Sequence, residues 1–239
     1  MIDETFVEKI AELQRESTEL LDIAGRQFVA IGGELKEIRP DMASALQAQT
    51  LGALRDYLVE NPDDLLTDDL TVQIVSPTNV RVISQLNTLY RHRETLLIVK
   101  AQLPPFSYGK YYPQDEFMIA LQTRFAPSDD RFYLQEVAGH LVSEESVNLE
   151  DDGISQNVTL KKGVRKVATT AKPIVRLAPF RTFTEIVQPE SDFLVRIGDG
   201  GTIALFDADG GAWQRAAIEG IKGWIEEQVA TVTDVMVLA

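Results

Sequence analysis

The spacing of hydrophobic residues changes at Leu70, and this change constrains the fold more than any other feature of the sequence. Before Leu70, apolar residues recur every three or four positions, as they do on one face of a helix. This spacing predicts helices over 3–24 and over about 43–59, with a short hairpin over 28–38 that a Gly-Gly turn closes. After Leu70, apolar residues alternate with polar ones, which indicates strands.

Most of the chain beyond Leu70 is predicted to be β. The alternating segments and the turns between them predict strands over 70–75, 80–83, 96–99, 132–149, 154–160, 173–177, 182–187 and 193–197. Residues 114–125 fit both helical spacing and alternation, and we favour a helix because Asp115 stands near its start. Residues 163–172 are polar and small, and they are predicted to form a mobile loop.

The C-terminal part contains the clearest unit. It is predicted to form a strand over 202–206, a turn rich in Asp and Gly, a helix over 212–229 and a closing strand over 232–238. The order of the predicted elements, with helices first, then strands and then this unit, is typical of an α+β fold rather than of a repeating βαβ fold. We therefore predict N-terminal helices, a largely antiparallel β region and a C-terminal strand-helix-strand unit.

The best candidate for a domain boundary is 61–69, where Pro, Asp and Thr cluster. It divides the chain into an N-terminal helical segment with a short hairpin, 1–62, and a main α+β domain, 63–239. A length of 239 residues also suits one continuous domain, so both organisations stay open.

The composition excludes several kinds of site. The chain has no cysteine, which removes disulfides, Cys-ligated zinc, iron–sulfur clusters and thiol nucleophiles. Its two histidines, His92 and His140, do not suit a His-rich metal site, and neither has a Ser or Asp partner at a recognisable catalytic spacing. We predict no metal, no cofactor and no enzymatic reaction.

No segment has the sequence of a membrane span or of an export signal. No run approaches about eighteen uncharged apolar residues, and the first residues are acidic where a secretory signal is basic. We therefore predict a cytoplasmic protein that does not enter a membrane.

Charge is distributed unevenly along the chain. The formal net charge is −14, but residues 161–196, here called the basic strip, carry +5 and the rest of the chain carries −19. Because duplex DNA and RNA are normally bound by basic proteins, the overall balance argues against a duplex ligand. The basic strip suits either an anion or the acidic surface of a second copy, and we predict a homo-oligomer.

Four residues of the basic strip form a candidate ligand site. Arginine side chains bind phosphates and aromatic rings stack on bases, which is how proteins hold nucleotides and single strands. The strip brings both kinds of residue together at Arg176, Phe180, Arg181 and Phe183. An ordinary strand with inward Phe and outward Arg side chains explains the same pattern, so both interpretations stay open.

Candidate subunit contacts lie in two places. Lys161 and Lys162 begin the basic strip, which suits an acidic partner surface. Trp213 and Trp224 lie on one stripe of the predicted C-terminal helix together with Gly220, whose small size lets a neighbour approach closely.

Asp199, Asp207 and Asp209 are candidate ligands for the metal of a hydrolase. An EF-hand loop needs oxygen ligands at fixed positions and a final Glu, and the residues after Asp207 do not match this spacing. We therefore favour a structural role, in which Asp209 caps the positive end of the C-terminal helix. The glycines of 198–201 precede a strand, which favours a hairpin turn over a phosphate-binding loop.

Several short sequence phrases occur together in this chain. They are Asp56-Tyr57-Leu58, Val75-Ser76-Pro77, Glu116-Phe117 with Leu121-Gln122 and Phe125, Asp151-Asp152-Gly153 with Ser155-Gln156, the block 179–193, and Asp207-Ala208-Asp209-Gly210-Gly211-Ala212-Trp213. With these phrases, roughly residues 46–225 resemble the YfdQ-like family of phage and prophage proteins of unknown function. The resemblance implies a phage origin and expression inside a bacterial host. The shared residues are mainly prolines, glycines and aromatics, so no catalytic residue is carried over.

These observations favour a non-enzymatic phage accessory protein. We expect it to form homo-oligomers and to contact an unknown phage or host protein during infection, near replication or recombination. One alternative is a binding module that sequesters a nucleotide or single-stranded nucleic acid through the basic strip. Another alternative is a self-assembling structural or shell protein.

Overall fold

The computed structural model describes residues 8–9, 20–31, 34–65, 69–141, 156–162, 165–230 and 235–239, with only the backbone in the two strands between 156 and 171. The described helices are α1 (Leu51–Glu60), α2 (Gln114–Arg124), α3 (Asp129–His140) and α4 (Ala212–Val229). The described strands are β1 (Leu20–Ile23), β2 (Arg26–Ile31), β3 (Glu34–Ile38), β4 (Leu46–Ala48), β5 (Leu70–Ser76), β6 (Asn79–Ser84), β7 (Thr95–Lys100), β8 (Gln156–Lys162), β9 (Arg165–Ala171), β10 (Ile174–Leu177), β11 (Ser191–Ile197), β12 (Ile203–Asp207) and β13 (Met236–Leu238). The fold is α+β, as predicted.

A five-stranded sheet with the order β13-β5-β6-β7-β4 forms one half of the molecule. Its three central strands are antiparallel, whereas β13 pairs parallel to β5 and β4 pairs parallel to β7. Helices α1 and α4 contact this sheet and each other. The first core lies between them and includes Leu54, Val72, Val82, Ile221 and Ile225.

Both helices of this half follow from local sequence signals. In α4, Ile221, Ile225 and Val229 recur every four residues and are buried on the first core. Helix α1 begins after Thr50, whose hydroxyl accepts a hydrogen bond from the N–H of Ala53 at 3.2 Å. No helix in the described ranges is both long and apolar enough to cross a membrane.

The second half is built on a three-stranded antiparallel sheet with the order β10-β11-β12. Helices α2 and α3 contact each other, and α3 contacts β10. The second core lies between these helices and the sheet and includes Phe117, Leu121, Phe125, Leu134 and Phe193.

The segment 178–191 connects the two halves. Phe183 inserts into the first core with only 1% of its surface exposed. The hydroxyl of Thr182 donates a hydrogen bond to the carbonyl of Pro77 at 2.6 Å, in the turn between β5 and β6. On the other side, the N–H of Phe180 donates to the carbonyl of Arg124 at the end of α2, at 2.9 Å.

Two smaller sheets complete the described structure. Strands β8 and β9 form an antiparallel ribbon, and β1, β2 and β3 form an antiparallel meander. No residue in the three strands of the meander is buried. Arg26 attaches the meander to the loop between β6 and β7, because its Nη2 donates a hydrogen bond to the carbonyl of Leu89 at 2.6 Å.

The prediction for the N-terminal part is partly wrong. Leu20–Ile23 does not end a helix over 3–24 but forms β1, because it pairs in register with β2; residues 3–7 and 10–19 lie outside the described residues. The helix over 43–59 begins only at Leu51, because Leu46–Ala48 pairs with β7. The hairpin over 28–38 is confirmed as β2 and β3.

The prediction of a strand over 132–149 is wrong for the described part of that range. Asp129–His140 is α3, which begins after Ser128, whose side chain accepts a hydrogen bond from the N–H of Arg131 at 3.2 Å. Leu134, Val137 and Ala138 are then buried with helical spacing. Residues 142–149 lie outside the described residues.

Two further predictions fail in the basic strip. Residues 165–171 form β9 rather than a loop, because they pair with β8. Residues 182–187 do not form a strand, because Gln188 binds the backbone that a neighbouring strand would need. Its Oε1 accepts from the N–H of Arg181 at 3.2 Å and of Thr182 at 3.4 Å, and its Nε2 donates to the carbonyl of Phe183 at 2.9 Å.

The remaining predicted elements are confirmed. They are the helix over 114–125, the hairpin of β5 and β6, the strands β7, β8, β10 and β11, and the C-terminal unit of β12, α4 and β13. The division at residue 62 stays a prediction. Helix α1, on its N-terminal side, shares the first core with β5, β6 and β7 on its C-terminal side.

Candidate functional site

A buried polar cluster lies where the two halves meet. This Arg181 cluster consists of Arg181, Ser191, Asp207, Asp209 and Trp213. The side chain of Arg181 is only 9% exposed, and its Nη1 lies 3.4 Å from Oδ2 of Asp207. Its Nη2 lies 3.9 Å from Oδ2 of Asp209 and donates a hydrogen bond to the hydroxyl of Ser191. The guanidinium carbon lies 4.0 Å from the centre of the Trp213 ring, within cation–π range.

Asp209 holds the cluster against the start of α4. Its Oδ1 accepts a hydrogen bond from the N–H of Gly211 at 2.8 Å. Its Oδ2 accepts from the N–H of Trp213 at 3.2 Å and from the hydroxyl of Ser191. Gly210 and Gly211 suit this tight turn because both have positive φ, 62° and 82°. The predicted capping role of Asp209 is therefore confirmed.

The two carboxyl groups of the cluster have opposite pKa shifts. Burial, together with the hydrogen bond and the repulsion from Asp209, raises the pKa of Asp207. Burial also acts to raise the pKa of Asp209, but hydrogen bonds from Ser191 and from the backbone of Gly211 outweigh it and lower that pKa. Burial lowers the pKa of Arg181, although both carboxyl groups act in the opposite direction.

Carboxyl pairs with separated pKa values also occur in acid–base sites of enzymes. In this cluster, however, both oxygens of Asp209 already accept internal hydrogen bonds, and its side chain is only 11% exposed. Both oxygens of Asp209 are therefore already engaged in internal contacts. The cluster joins the segment 178–191, the β11–β12 hairpin and the start of α4.

Aromatic rings extend the cluster into the second core. The ring of Tyr108 stacks on Phe193 with centroids 5.4 Å apart, and the guanidinium carbon of Arg181 lies 5.6 Å from the Phe193 ring. Burial raises the pKa of Tyr108 to about 12, although the charge of Arg181 acts in the opposite direction. Arg181 thus lies between carboxylates and aromatic rings.

The four predicted ligand residues lie in different surroundings. Arg181 belongs to the buried cluster and Phe183 to the first core, whereas Phe180 is half-buried beside the end of α2. Arg176 is exposed and its Nε lies 3.0 Å from Oε2 of Glu190. Arg181 and Phe183 thus serve internal packing in this structure, and the predicted ligand site stays a prediction.

An open groove of about 250 Å³ lies beside the Arg181 cluster. Its charged lining residues are Arg176, Glu190, Asp192 and Asp209. Because acids outnumber bases and Arg176 is paired with Glu190, the charge of the groove does not suit a phosphate group.

The predicted subunit contacts are also separated in the structure. Trp213 is half-buried against Arg181, and Trp224 is half-buried at the edge of the first core. Lys161 and Lys162 are the last two residues of β8, at the end of the ribbon.

A larger cavity, of about 470 Å³, opens beside the loop between β6 and β7. Its ionisable lining residues are Asp64, Asp69, His92 and Glu94. The described residues nevertheless include no group of three or more His, Asp or Glu side chains that could hold a metal ion. Asp199 lies at the opposite end of the β11–β12 hairpin from Asp207, so the candidate hydrolase acids do not come together.

Comparison of the chain with protein-family models, with curated proteins and with solved structures gives no match. Function is therefore inferred from the residues themselves.

Sequence reasoning misses the Arg181 cluster as a unit. The turn that contains Asp207 and Asp209 is recognisable, but Arg181 lies 26 residues before Asp207 and no local spacing indicates that they pair. The available signal is an arginine in an apolar segment, between Phe180 and Phe183, where a charged side chain needs a partner.

Proposed function

We propose that this chain is a phage- or prophage-encoded accessory protein that acts in the bacterial cytoplasm as a homo-oligomer, through protein contacts and without catalysing a reaction. The resemblance to YfdQ-like proteins supports the phage origin. The β1–β2–β3 meander supports the protein contacts, and it is the observation that carries the proposal.

The meander is largely apolar, yet none of its strand residues is fully buried. Most residues of its three strands are hydrophobic, and Leu20, Ile31 and Leu35 are 66%, 52% and 54% exposed. A small sheet normally needs a hydrophobic face packed against another element to be stable. Contiguous exposed apolar surface of this kind marks a contact with another protein.

Both faces of the meander carry exposed apolar residues. The register places Leu20 beside Val29 on one face, two positions from Ile31. It places Leu35 beside Ala30 on the other face. A second copy that packs on either face would cover a surface that this chain leaves exposed.

Light scattering after size exclusion tests the proposal. We expect a mass above that of one chain at micromolar concentration, and we expect Leu35→Lys to lower it. Val187→Lys is the matched control, because Val187 is an apolar residue that is 91% exposed outside the meander. A monomeric wild-type protein, or an equal effect of both substitutions, would contradict the proposal.

A further inference from the structure

The β8–β9 ribbon concentrates basic residues at one end. The two strands pair in continuous antiparallel register, and the last two pairs are Lys161 with Lys166 and Lys162 with Arg165. Neighbouring pairs of such a ribbon belong to opposite faces of the sheet. Each face of this end therefore carries two of the four basic residues.

This arrangement is unfavourable for the isolated ribbon. Like charges directly opposite each other on neighbouring strands destabilise the pairing. Residues 156–171 contain no Asp or Glu that would offset the four cations. An anion bound at this end of the ribbon would relieve the repulsion.

The tip of the ribbon, at the pair Lys162 and Arg165, lies far from its base, at the pair Gln156 and Ala171. A strand of this length rises about 20 Å from its first to its last residue, more than twice the Debye length of about 8 Å at physiological salt. Acidic residues near the base are therefore largely screened from the tip. The net charge of −14 for the whole chain therefore does not represent the local charge at the tip.

Other cations of the basic strip are already paired within the fold. The Nζ of Lys172 lies 3.0 Å from Oδ1 of Asp130, and Arg176 contacts Glu190 at the same distance. Arg181 is held in its buried cluster. The ribbon tip is thus the part of the strip where cations cluster without acids in their own element.

We propose that the tip of the ribbon, formed by Lys161, Lys162, Arg165 and Lys166, binds the phosphate backbone of a nucleic acid. Duplex DNA carries one negative charge per about 1.7 Å of its axis, which suits four closely spaced cations. A two-stranded ribbon also fits the major groove, which is about 12 Å wide. The site is separate from the β1–β2–β3 meander, so this inference goes beyond the proposed oligomer.

Nucleic acid fits the tip better than a second copy of the chain does. Such a copy offers its carboxylates singly or in runs of two or three, and some of them already have internal partners. Asp130 binds Lys172 and the backbone of Arg176, and Glu190 binds the side chain of Arg176. A phosphate backbone instead presents free charges at short and regular intervals.

Fluorescence anisotropy with a labelled DNA of about 20 nucleotides tests the proposal, with single-strand and duplex arms at about 50 and 200 mM salt. Four phosphate contacts predict that affinity falls about 100-fold over this range for the duplex and about 50-fold for the single strand, because each contact releases counterions. Absence of binding to both DNAs at about 50 mM salt would overturn the proposal.

Paired variants locate the site. Lys162→Gln with Arg165→Gln removes two tip cations and should lower affinity about 10-fold and halve the salt dependence. Arg215→Gln with Lys222→Gln removes the same charge from the exposed face of α4 and should leave affinity unchanged. Equal losses for both variants would overturn the proposal.

Light scattering on the same variants separates this proposal from the oligomer. A tip variant that loses subunits while keeping its affinity for DNA would place the ribbon in a subunit contact and overturn the nucleic-acid proposal. A monomeric wild-type protein that binds DNA with the expected salt dependence would contradict the proposed homo-oligomer and support nucleic-acid binding by the ribbon tip. Circular dichroism shows whether each variant is folded. The salt dependence measured on the wild-type protein tests the nucleic-acid proposal even if a variant does not fold.

Discussion

Replacement of Arg181 by methionine should reduce the free energy of unfolding by about 3–5 kcal/mol. Methionine keeps most of the side-chain length but removes the charge and the hydrogen bonds. Asp209, whose side chain is only 11% exposed, then keeps a negative charge without its cation, and breaking a buried ion pair has this cost. Loss of the contact with Trp213 contributes about 1 kcal/mol of this total. Asp207 contributes less, because its side chain is 35% exposed and water screens it.

The matched control is Arg176→Met, in the same strip. Arg176 forms an ion pair with Glu190 at 3.0 Å, but the two side chains are 67% and 54% exposed. Exposed ion pairs contribute about 0–1 kcal/mol, so this variant should differ from the wild type by no more than about 1 kcal/mol.

A double variant identifies the cause of the loss. Arg181→Met combined with Asp209→Asn removes both charges while the amide oxygen can still cap α4. We expect the two substitutions to be non-additive by about 1–3 kcal/mol, because the second removes the charge that the first leaves without a partner.

Urea unfolding followed by tryptophan fluorescence measures the wild type, the three single variants Arg181→Met, Arg176→Met and Asp209→Asn, and the double variant. Trp213 contacts Arg181 and Trp224 packs on the first core, so the emission reports on both regions. Linear extrapolation gives the free energy of unfolding. An Arg181→Met protein no less stable than Arg176→Met would refute the buried ion pair as a source of stability.

Three further substitutions give independent checks. Asp130→Asn should cost about 1–2 kcal/mol at neutral pH in urea unfolding. That difference should begin to shrink as the pH falls below about 3.9 and should vanish only below the lower pKa of folded Asp130. Burial acts to raise that pKa, but hydrogen bonds from the backbone of Arg176 and from Lys172 outweigh it and lower the pKa, so this stability is lost on protonation of the folded protein. Thr182→Val should cost about 1–3 kcal/mol in thermal unfolding, because it leaves a buried carbonyl without its donor. Ser128→Ala should cost about 1 kcal/mol in the same assay, since it removes the cap of α3.

Elements specified by local sequence could be predicted. Helix α4 repeats apolar residues every four positions and follows an Asp-Gly-Gly turn, and both signals lie within one short segment. The hairpin of β5 and β6 is similarly local, because alternation and a Pro-containing turn occur side by side. The α+β class followed from the order of such elements.

Elements that depend on distant partners could not be predicted. Leu46–Ala48 is a strand because β7, about fifty residues later, pairs with it. Residues 182–187 are not a strand because one side chain, Gln188, binds their backbone. A strand is predicted where α3 lies, and packing of Leu134, Val137 and Ala138 on the second core stabilises a helix there instead.

The same limit applies to the candidate site. The capping role of Asp209 follows from its place before a helix, and it is confirmed. The pairing of Arg181 with Asp207 and Asp209 depends on the path of segment 178–191 between the two halves, which no local pattern encodes.

The parallel pairing of β13 with β5 has a consequence during synthesis. Met236 pairs with Thr71, so the ribosome must add more than 160 residues after β5 before this strand has its outer partner. At about 5–20 residues per second, the interval lasts about 10–30 seconds. Throughout it, the outer backbone groups of β5 are open to another nascent chain, so we expect mispairing between growing chains to begin at this edge.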